Sequence, residues 1–241
     1  MNEQGVNAQK LFYGQMEGQA VELFYSESAE LFANTISKIM APGSYSLIDL
    51  GGHKGELFSE VKEKLPDYHF KAIIADKVDG IDPNLGAEKI VTDVTHTPFE
   101  NKSADIVIVR YVLAWNTPEN QKEILKEISR ITKGIAIIQH QGADSDNPAL
   151  LSEAQSKLFS GDIPELKRDL NYSWTDPRTL ETWMNELGIK YSTIQDRRID
   201  GLSDLFIEKY GLTDQKADSV KEMLHNYDYV MQTTWVLDFR S

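Results

Sequence analysis

The sequence predicts a doubly wound α/β fold: a mostly parallel sheet covered by helices on both faces, with a helical N-terminal cap and insertions toward the C-terminus. Two observations carry this reading. Short apolar runs rich in β-branched residues recur along the first 140 residues, and amphipathic helical patterns lie between several of them. Strands that are apolar throughout belong to sheets buried on both faces, whose parallel neighbours are joined by helical crossovers. The 241 residues show no internal repeat and no Pro/Gly/Ser-rich linker, so one elaborated domain spanning residues 1–241 is expected. It divides into a cap over 1–40, a sheet-forming half over 41–140 and a second half with insertions over 141–241.

Each element has a local reason. Leu23, Phe24, Leu31, Ile36 and Met40 form a helical stripe ahead of the first strand, read as a cap over the sheet's end. The strand candidates are Tyr45–Ile48, Phe70–Ala75, Lys89–Val91, Asp105–Val109 and Ile135–Ile138. Thr117 suits a helix N-cap, Pro118 the first helical position, and Ile124, Leu125, Ile128 and Ile131 lie on one stripe, with Gly134 closing the helix. A second helix runs from about Pro177 to Leu187, capped by Asp176 and followed by Gly188. Beyond it the pattern predicts a strand near Ile189–Ile199, helices near Leu202–Tyr210 and Asp214–Tyr227, and a last strand over Val230–Phe239. Pairing of the two strands makes the helices between them an insertion, like Gln141–Thr175 after the fifth strand. Both insertions then rise where open α/β sheets bind ligands.

Composition bounds the function. With 38 acidic residues against 25 Lys plus Arg, the net charge is −13, which argues against nucleic acid, whose binding needs Lys and Arg on phosphates, and against an anionic membrane surface. A carboxylate-lined site would favour a cationic ligand. The absence of cysteine removes disulfides, Cys-ligated zinc, iron–sulfur clusters and thiolate nucleophiles, and no metal is expected. Met1–Lys10 is polar and no 18 apolar residues follow one another, so a soluble cytoplasmic protein is expected.

The segment that carries chemistry is Ser46–Leu57, a strand running into a glycine turn and then a helix. Glycine lets the turn's backbone approach a ligand that a Cβ would obstruct. The G-x-G-x-x-G dinucleotide pattern does not fit, and Asp49 just before the turn points to a ligand with a positive group. Asp49-Leu50-Gly51-Gly52-His53-Lys54-Gly55 resembles the first motif of class I S-adenosylmethionine-dependent methyltransferases, (Asp/Glu)-x-Gly-x-Gly-x-Gly, with His53 in place of the middle glycine. The resemblance continues in order to about His140. Asp76 ends the second strand 76 − 55 = 21 positions after Gly55, near the roughly 20-residue offset of a ribose-binding carboxylate. Asp79 and Asp82 are alternatives. Thr92-Asp93-Val94 is similar to the family's adenine-recognising motif, and Ser103–Leu113 to its fourth strand, after which residues face methyl donor and acceptor. The stretch from Asp76 to Lys89 also departs, being short for a full second helix.

The resemblance implies the Rossmann-like methyltransferase fold, S-adenosyl-L-methionine as cofactor and S-adenosyl-L-homocysteine as product, with 41–140 as the cofactor-binding half and 141–241 as the substrate side. The cofactor residues implied are Asp49, Gly51, Gly52, His53, Gly55, Asp76, Asp93, Val94 and Arg110. Arg110 could instead pair with Asp93 or contact an acidic acceptor. Methyl transfer is an in-line displacement in which alignment supplies most of the catalysis, about 7–11 kcal/mol as effective molarity. A base is needed only where the acceptor must lose a proton. His140 and Tyr111 are the candidates, with His96 a third; equally, His140 could be a structural imidazole bonded to a loop carbonyl and Tyr111 a pocket wall. Tyr13 and Tyr25 could close over the cofactor, or simply pack the cap.

No Asn/Asp-Pro-Pro-aromatic motif follows the fourth strand, and thiolate routes are closed. A small-molecule acceptor remains, in a pocket for which Tyr172, Trp174 and Tyr229 are walls, unless they are core. His53 in the turn also allows a catalytically silent S-adenosylmethionine-binding module acting through protein partners, and the acidic charge allows methylation of a basic protein. The sequence names neither acceptor nor oligomeric state.

Overall fold

The computed structural model of the protein describes residues 19–79, 83–143, 173–204, 207, 211–225 and 228–240. Its described strands are β1 (Ser44–Leu50), β2 (His69–Asp76), β3 (Glu88–Val91), β4 (Ala104–Arg110), β5 (Thr132–Gly142), β6 (Tyr191–Asp200) and β7 (Tyr229–Asp238). They form one sheet in the order β3-β2-β1-β4-β5-β7-β6. Every neighbouring pair from β3 to β5 is parallel, and β7 runs antiparallel between β5 and β6. The chain leaves β1 toward β2 and β3, then returns to place β4 on the other side. Its direction therefore reverses between β1 and β4, and the crevice outside their carboxyl ends is where such sheets hold ligands.

Successive residues of a strand face opposite sides, and each side has its own core. On one side Leu47, Ile106, Ile108, Ile135 and Ile137 pack against α1 (Gln19–Ile39) and α2 (Glu56–Lys64). Helix α1 buries Ala29, Phe32, Ala33 and Ile36, the i, i+3, i+4, i+7 spacing of one helical face. This corrects the expectation of a cap over the sheet's end: α1 covers a face, because its apolar stripe is long enough to lie along β1, β4 and β5. Only its N-terminal part reaches the carboxyl ends, where Ser28 donates to Gln139 at 2.7 Å. The Leu23 and Phe24 side chains lie outside the described ones.

On the other side Ile48, Leu50, Val107, Val109, Ala136, Ile138 and Trp235 meet α3 (Pro118–Ile131) and α4 (Pro177–Glu186). Thr117 caps α3 by accepting from the Asn120 N–H, and Asp176 caps α4 by accepting from the Arg178 N–H. Gly134 does not close α3. It lies inside β5, where an added Cβ would stand 2.1 Å from the Asp105 carbonyl oxygen, so glycine there serves the approach of β5 to β4. Buried Glu127 on α3 pairs with Arg130 at 2.7 Å and accepts from the Thr97 N–H at 2.8 Å. Arg130 also donates to the Phe99 carbonyl at 2.7 Å, which fixes the loop leading into β4.

Between β2 and β3 the described residues hold a 3-10 turn, Pro83–Leu85, where the spacing is too short for a full helix. The two last strands pair as expected. Between them residues 202–204 and 207 are helical, and α5 (Asp214–Leu224) contributes Val220 and Leu224 to a third, smaller core with Trp174, Leu202, Leu212 and Val230. Trp174 is thus core and Tyr229 packs against it, while Tyr13 and Tyr172 lie outside the described residues. Among the described residues no helix is long and apolar enough to cross a membrane.

Because Phe32 is fully buried between α1 and the sheet, Phe32→Ala should lower unfolding free energy by about 3–5 kcal/mol. Chemical denaturation checks this, and a change within error would show that α1 is not part of the cooperative unit.

Candidate functional site

The site is built around the turn that follows β1. Gly51, at φ 78°, donates its N–H to the Ala75 carbonyl at 2.6 Å, tying the turn to the end of β2. A Cβ at Gly51 would stand 2.3 Å from Val112 Cγ2, and one at Gly52 would stand 2.4 Å from the Asp49 carboxyl carbon. At Gly55, φ 88°, it would strike Ile74 and Leu85. His53 takes the left-handed region at φ 49°, a conformation that costs a residue with a Cβ roughly 1–2 kcal/mol. Its imidazole is buried, with Nδ1 3.5 Å from the Glu56 carboxylate, and its N–H donates to Asp76 Oδ2 at 3.0 Å. The departure from glycine is accommodated by these contacts.

Three carboxylates expected at the site have different surroundings. Asp49 is 1% exposed, and its Oδ2 has no hydrogen-bond partner among the described residues. Burial, then the negative Glu56 and Asp76 nearby, push its carboxyl up to about 8. Asp76 accepts from the His53 and Val78 N–H groups, one on each oxygen, and burial raises it too. Asp93 is half exposed and bonded to Lys77 at 2.9 Å and to Thr95; burial opposes ionisation there, but these bonds outweigh it and the carboxyl is lowered. Asp79 pairs with Lys89, and Asp82 lies outside the described residues, so Asp76 is the alternative that the fold joins to the turn. Val94 is buried with Leu50 and Ala75.

The carboxyl ends of β4 and β5 carry a polar layer. Arg110 donates from Nε to Ser28 Oγ at 3.1 Å, and its guanidinium carbon lies 4.2 Å from the ring centres of both Tyr25 and Tyr111. Arg110 and Asp93 thus have separate described partners, because α1 supplies what Arg110 holds and Lys77 holds Asp93. Tyr111 sits at φ 58°, an uncommon backbone conformation that clusters at functional sites. Its hydroxyl accepts from Gln232 Nε2, and burial raises its pKa.

His140 faces the opposite side, stacked 6.4 Å from Trp235 and fully buried. Its Nε2 lies 2.8 Å from the Thr175 carbonyl, which can only accept, so Nε2 carries the proton and Nδ1 the lone pair. Burial lowers the imidazole to about 4, so it is neutral. His96 is exposed and touches Thr95.

Sequence reasoning missed Ser28, Gln139, Thr234, Gln195, Arg197 and Gln232. The available signal was polar residues at the ends of otherwise apolar strands, Gln139 after Ile135–Ile138 above all. Among the described residues no group of three His, Asp or Glu could hold a metal ion.

Asp49 sets a pH dependence of stability. Its native carboxyl titrates near 8, above the unfolded value of about 3.9, so the native state binds more protons between these values and loses stability as pH rises through that window. Asp49→Asn removes the titration. Its melting temperature should exceed that of the wild type near pH 8, with the difference closing as pH falls toward about 4. Parallel melting curves across that range would show that Asp49 ionises freely.

Residues 55–138, from Gly55 of the turn to Ile138 of β5, match the sequence model of a family described as a methyltransferase domain. No curated protein matches the chain in sequence. Among solved structures, the YcgJ protein of Bacillus subtilis superposes with a TM-score of 0.66 at 11% identity, covering 88% of this chain and 98% of that one. Geranyl diphosphate C-methyltransferase from Streptomyces coelicolor, in complex with Mg2+, geranyl diphosphate and S-adenosyl-L-homocysteine, gives 0.57 at 12% identity over 88% and 79%. Loganic acid methyltransferase with the same product gives 0.58 at 11% over 90% and 93%. At these identities the structural likeness is one of fold. With the strands from the glycine turn to β5 in one matched span, and that span set in the sheet order β3-β2-β1-β4-β5-β7-β6, the chain carries a span similar to a methyltransferase domain within a Rossmann-like methyltransferase fold.

Proposed function

We propose that the protein is an S-adenosylmethionine-dependent methyltransferase that acts on a small-molecule acceptor, as one domain working in the cytoplasm, with neither nucleic acid nor membrane as its substrate. The observation that carries the cofactor assignment is the buried Asp49 oxygen without a partner, set against a turn whose glycines leave no Cβ in the way. A neutral ligand would leave that carboxyl protonated; a cationic one gives it a counter-charge and draws the proton off. The cofactor supplies an electrophilic methyl group on a sulfonium.

Every other task falls to the chain. Asp49 receives a cationic group, and Gly51, Gly52, His53 and Gly55 form the cradle. Each Asp76 oxygen already accepts one backbone N–H and keeps a lone pair for a hydroxyl. The turn over Asp93 and Val94 would hold the flat base, and Arg110, ordered between two tyrosine rings, borders the cofactor and acceptor sides. Where the acceptor must lose a proton, Tyr111 is the better-supported group, since it belongs to the polar layer at the end of β4. His140 could serve only through Nδ1, its other nitrogen being bonded to Thr175. The names of the structural neighbours, which act on geranyl diphosphate and loganic acid, support a small acceptor, as does the net charge of −13, which disfavours RNA.

Calorimetry with S-adenosyl-L-homocysteine tests the reading. Binding should weaken at least about tenfold in Asp76→Ala, where hydrogen bonds to a charged group are lost. Affinity should also rise with pH up to about 8, with proton release below it, because a ligand cation at Asp49 favours the ionised carboxyl; Asp49→Asn should abolish that release. Absence of binding, or unchanged binding in Asp76→Ala, would overturn the assignment. Incubation of the protein with labelled donor and cell extract should place label in the small-molecule fraction, and label confined to protein would overturn the acceptor class.

A further inference from the structure

The polar layer beyond Arg110 has a direction, and the direction identifies a ligand group. Arg110, Gln139, Thr234 and Gln195 are register partners across β4, β5, β7 and β6, so they form one rung of the sheet, on the face that α1 covers. A guanidinium only donates. Arg110 Nε therefore donates to Ser28 Oγ, and the Ser28 hydroxyl donates to Gln139 Oε1 at 2.7 Å. That orients the Gln139 amide, whose Nε2 donates to Thr234 Oγ1 at 3.3 Å, and Thr234 donates in turn to Gln195 Oε1 at 3.4 Å. The relay ends with the N–H groups of Gln195 Nε2 at a cleft of about 340 Å³ lined by Gln195, Arg197, Gln139, Ser28, Glu27 and neighbours on α1.

One rung further out, Arg197 donates from Nε to Gln232 Oε1 at 2.7 Å, and Gln232 donates to Tyr111. The Arg197 side chain is 41% exposed, and its Nη2 holds the carboxylate of Glu27 at 2.7 Å. Glu27 is itself largely exposed, while the other acid at the cleft, Glu30, is paired with Lys64. The cleft thus offers amide and guanidinium donors from one strand, and an exposed carboxylate already rests on the guanidinium. Charge-assisted bonds of this kind are the strong and geometrically selective ones for carboxylate.

We propose that this cleft is the site for a carboxylate group on the methyl acceptor, received by the Gln195 amide and the Arg197 guanidinium in place of Glu27. The acceptor class is then a small organic acid, and the inference rests on the reading of the protein as a methyltransferase of small molecules. The cleft joins the cofactor side through Ser28 and Arg110, whose charge acts on Asp49.

Isotope-labelled protein saturated with S-adenosyl-L-homocysteine, titrated by NMR with benzoate and succinate and in parallel with benzamide and succinamide, tests this. The carboxylates should shift the Gln195 side-chain amide saturably and bind about tenfold more tightly than the amides. Arg197→Gln and Gln195→Glu should each weaken them about tenfold, and Glu27→Gln, which removes the resident carboxylate, should strengthen them. Affinity for S-adenosyl-L-homocysteine reports that each variant is folded. Equal response to amides and carboxylates, or no saturable shift at Gln195, overturns the proposal. Failure to bind S-adenosyl-L-homocysteine at all would instead overturn the reading on which it rests.

Discussion

The turn after β1 passes so close to the buried Asp49 carboxyl that position 52 has no room for a Cβ, and much of the site follows from that contact. Gly51 is pinned to the end of β2 through its N–H, and the His53 N–H reaches Asp76 from the same turn. Two strand ends and two carboxylates are thereby locked to one short backbone segment. The carboxyl that the turn covers loses water, its Oδ2 gains no hydrogen-bond partner among the described residues, and Glu56 and Asp76 lie nearby, which is why it holds its proton well above the ordinary range. A cation is the group best able to repay that desolvation.

The central strands β4 and β5 are mostly apolar until their last rungs. Val107, Val109, Ile135 and Ile137 are fully buried, and the strands change character only at Arg110 and Gln139. A parallel sheet covered on both faces has no interior water to satisfy polar side chains, so these groups bond to one another. Arg110 starts the chain of bonds, and because a guanidinium cannot accept, each later hydroxyl and amide has a fixed orientation. The same layer attaches α1 to the sheet through Ser28 and Glu27. Helix α1 and the sheet are thus joined by polar contacts at the carboxyl ends and by apolar packing along the face.

Features that depend on a few consecutive residues were legible in the sequence. Asp49 and the glycines of the turn, the caps at Thr117 and Asp176, the apolar strands and the paired last strands all stand where the pattern put them, because φ preference, capping and burial periodicity act over short distances. Gly134 was misjudged for the same reason: its neighbours in sequence suggested a helix end, whereas its backbone contact is with Asp105 on another strand. Helix α1 was recognised, but whether its stripe met the end or the face of the sheet depended on residues from Leu47 to Ile137.

By itself, then, the sequence determined the doubly wound class, the glycine turn and the carboxylates Asp49 and Asp76 beside it. Only the tertiary structure decided which groups share the site. Arg110 met Ser28 and two tyrosines rather than Asp93, His140 turned to the face opposite Arg110, and Gln195 and Arg197 arrived from β6. Side-chain partners across a sheet are set by strand order and register, and these are fixed by the packing of the whole chain rather than by any local run of residues.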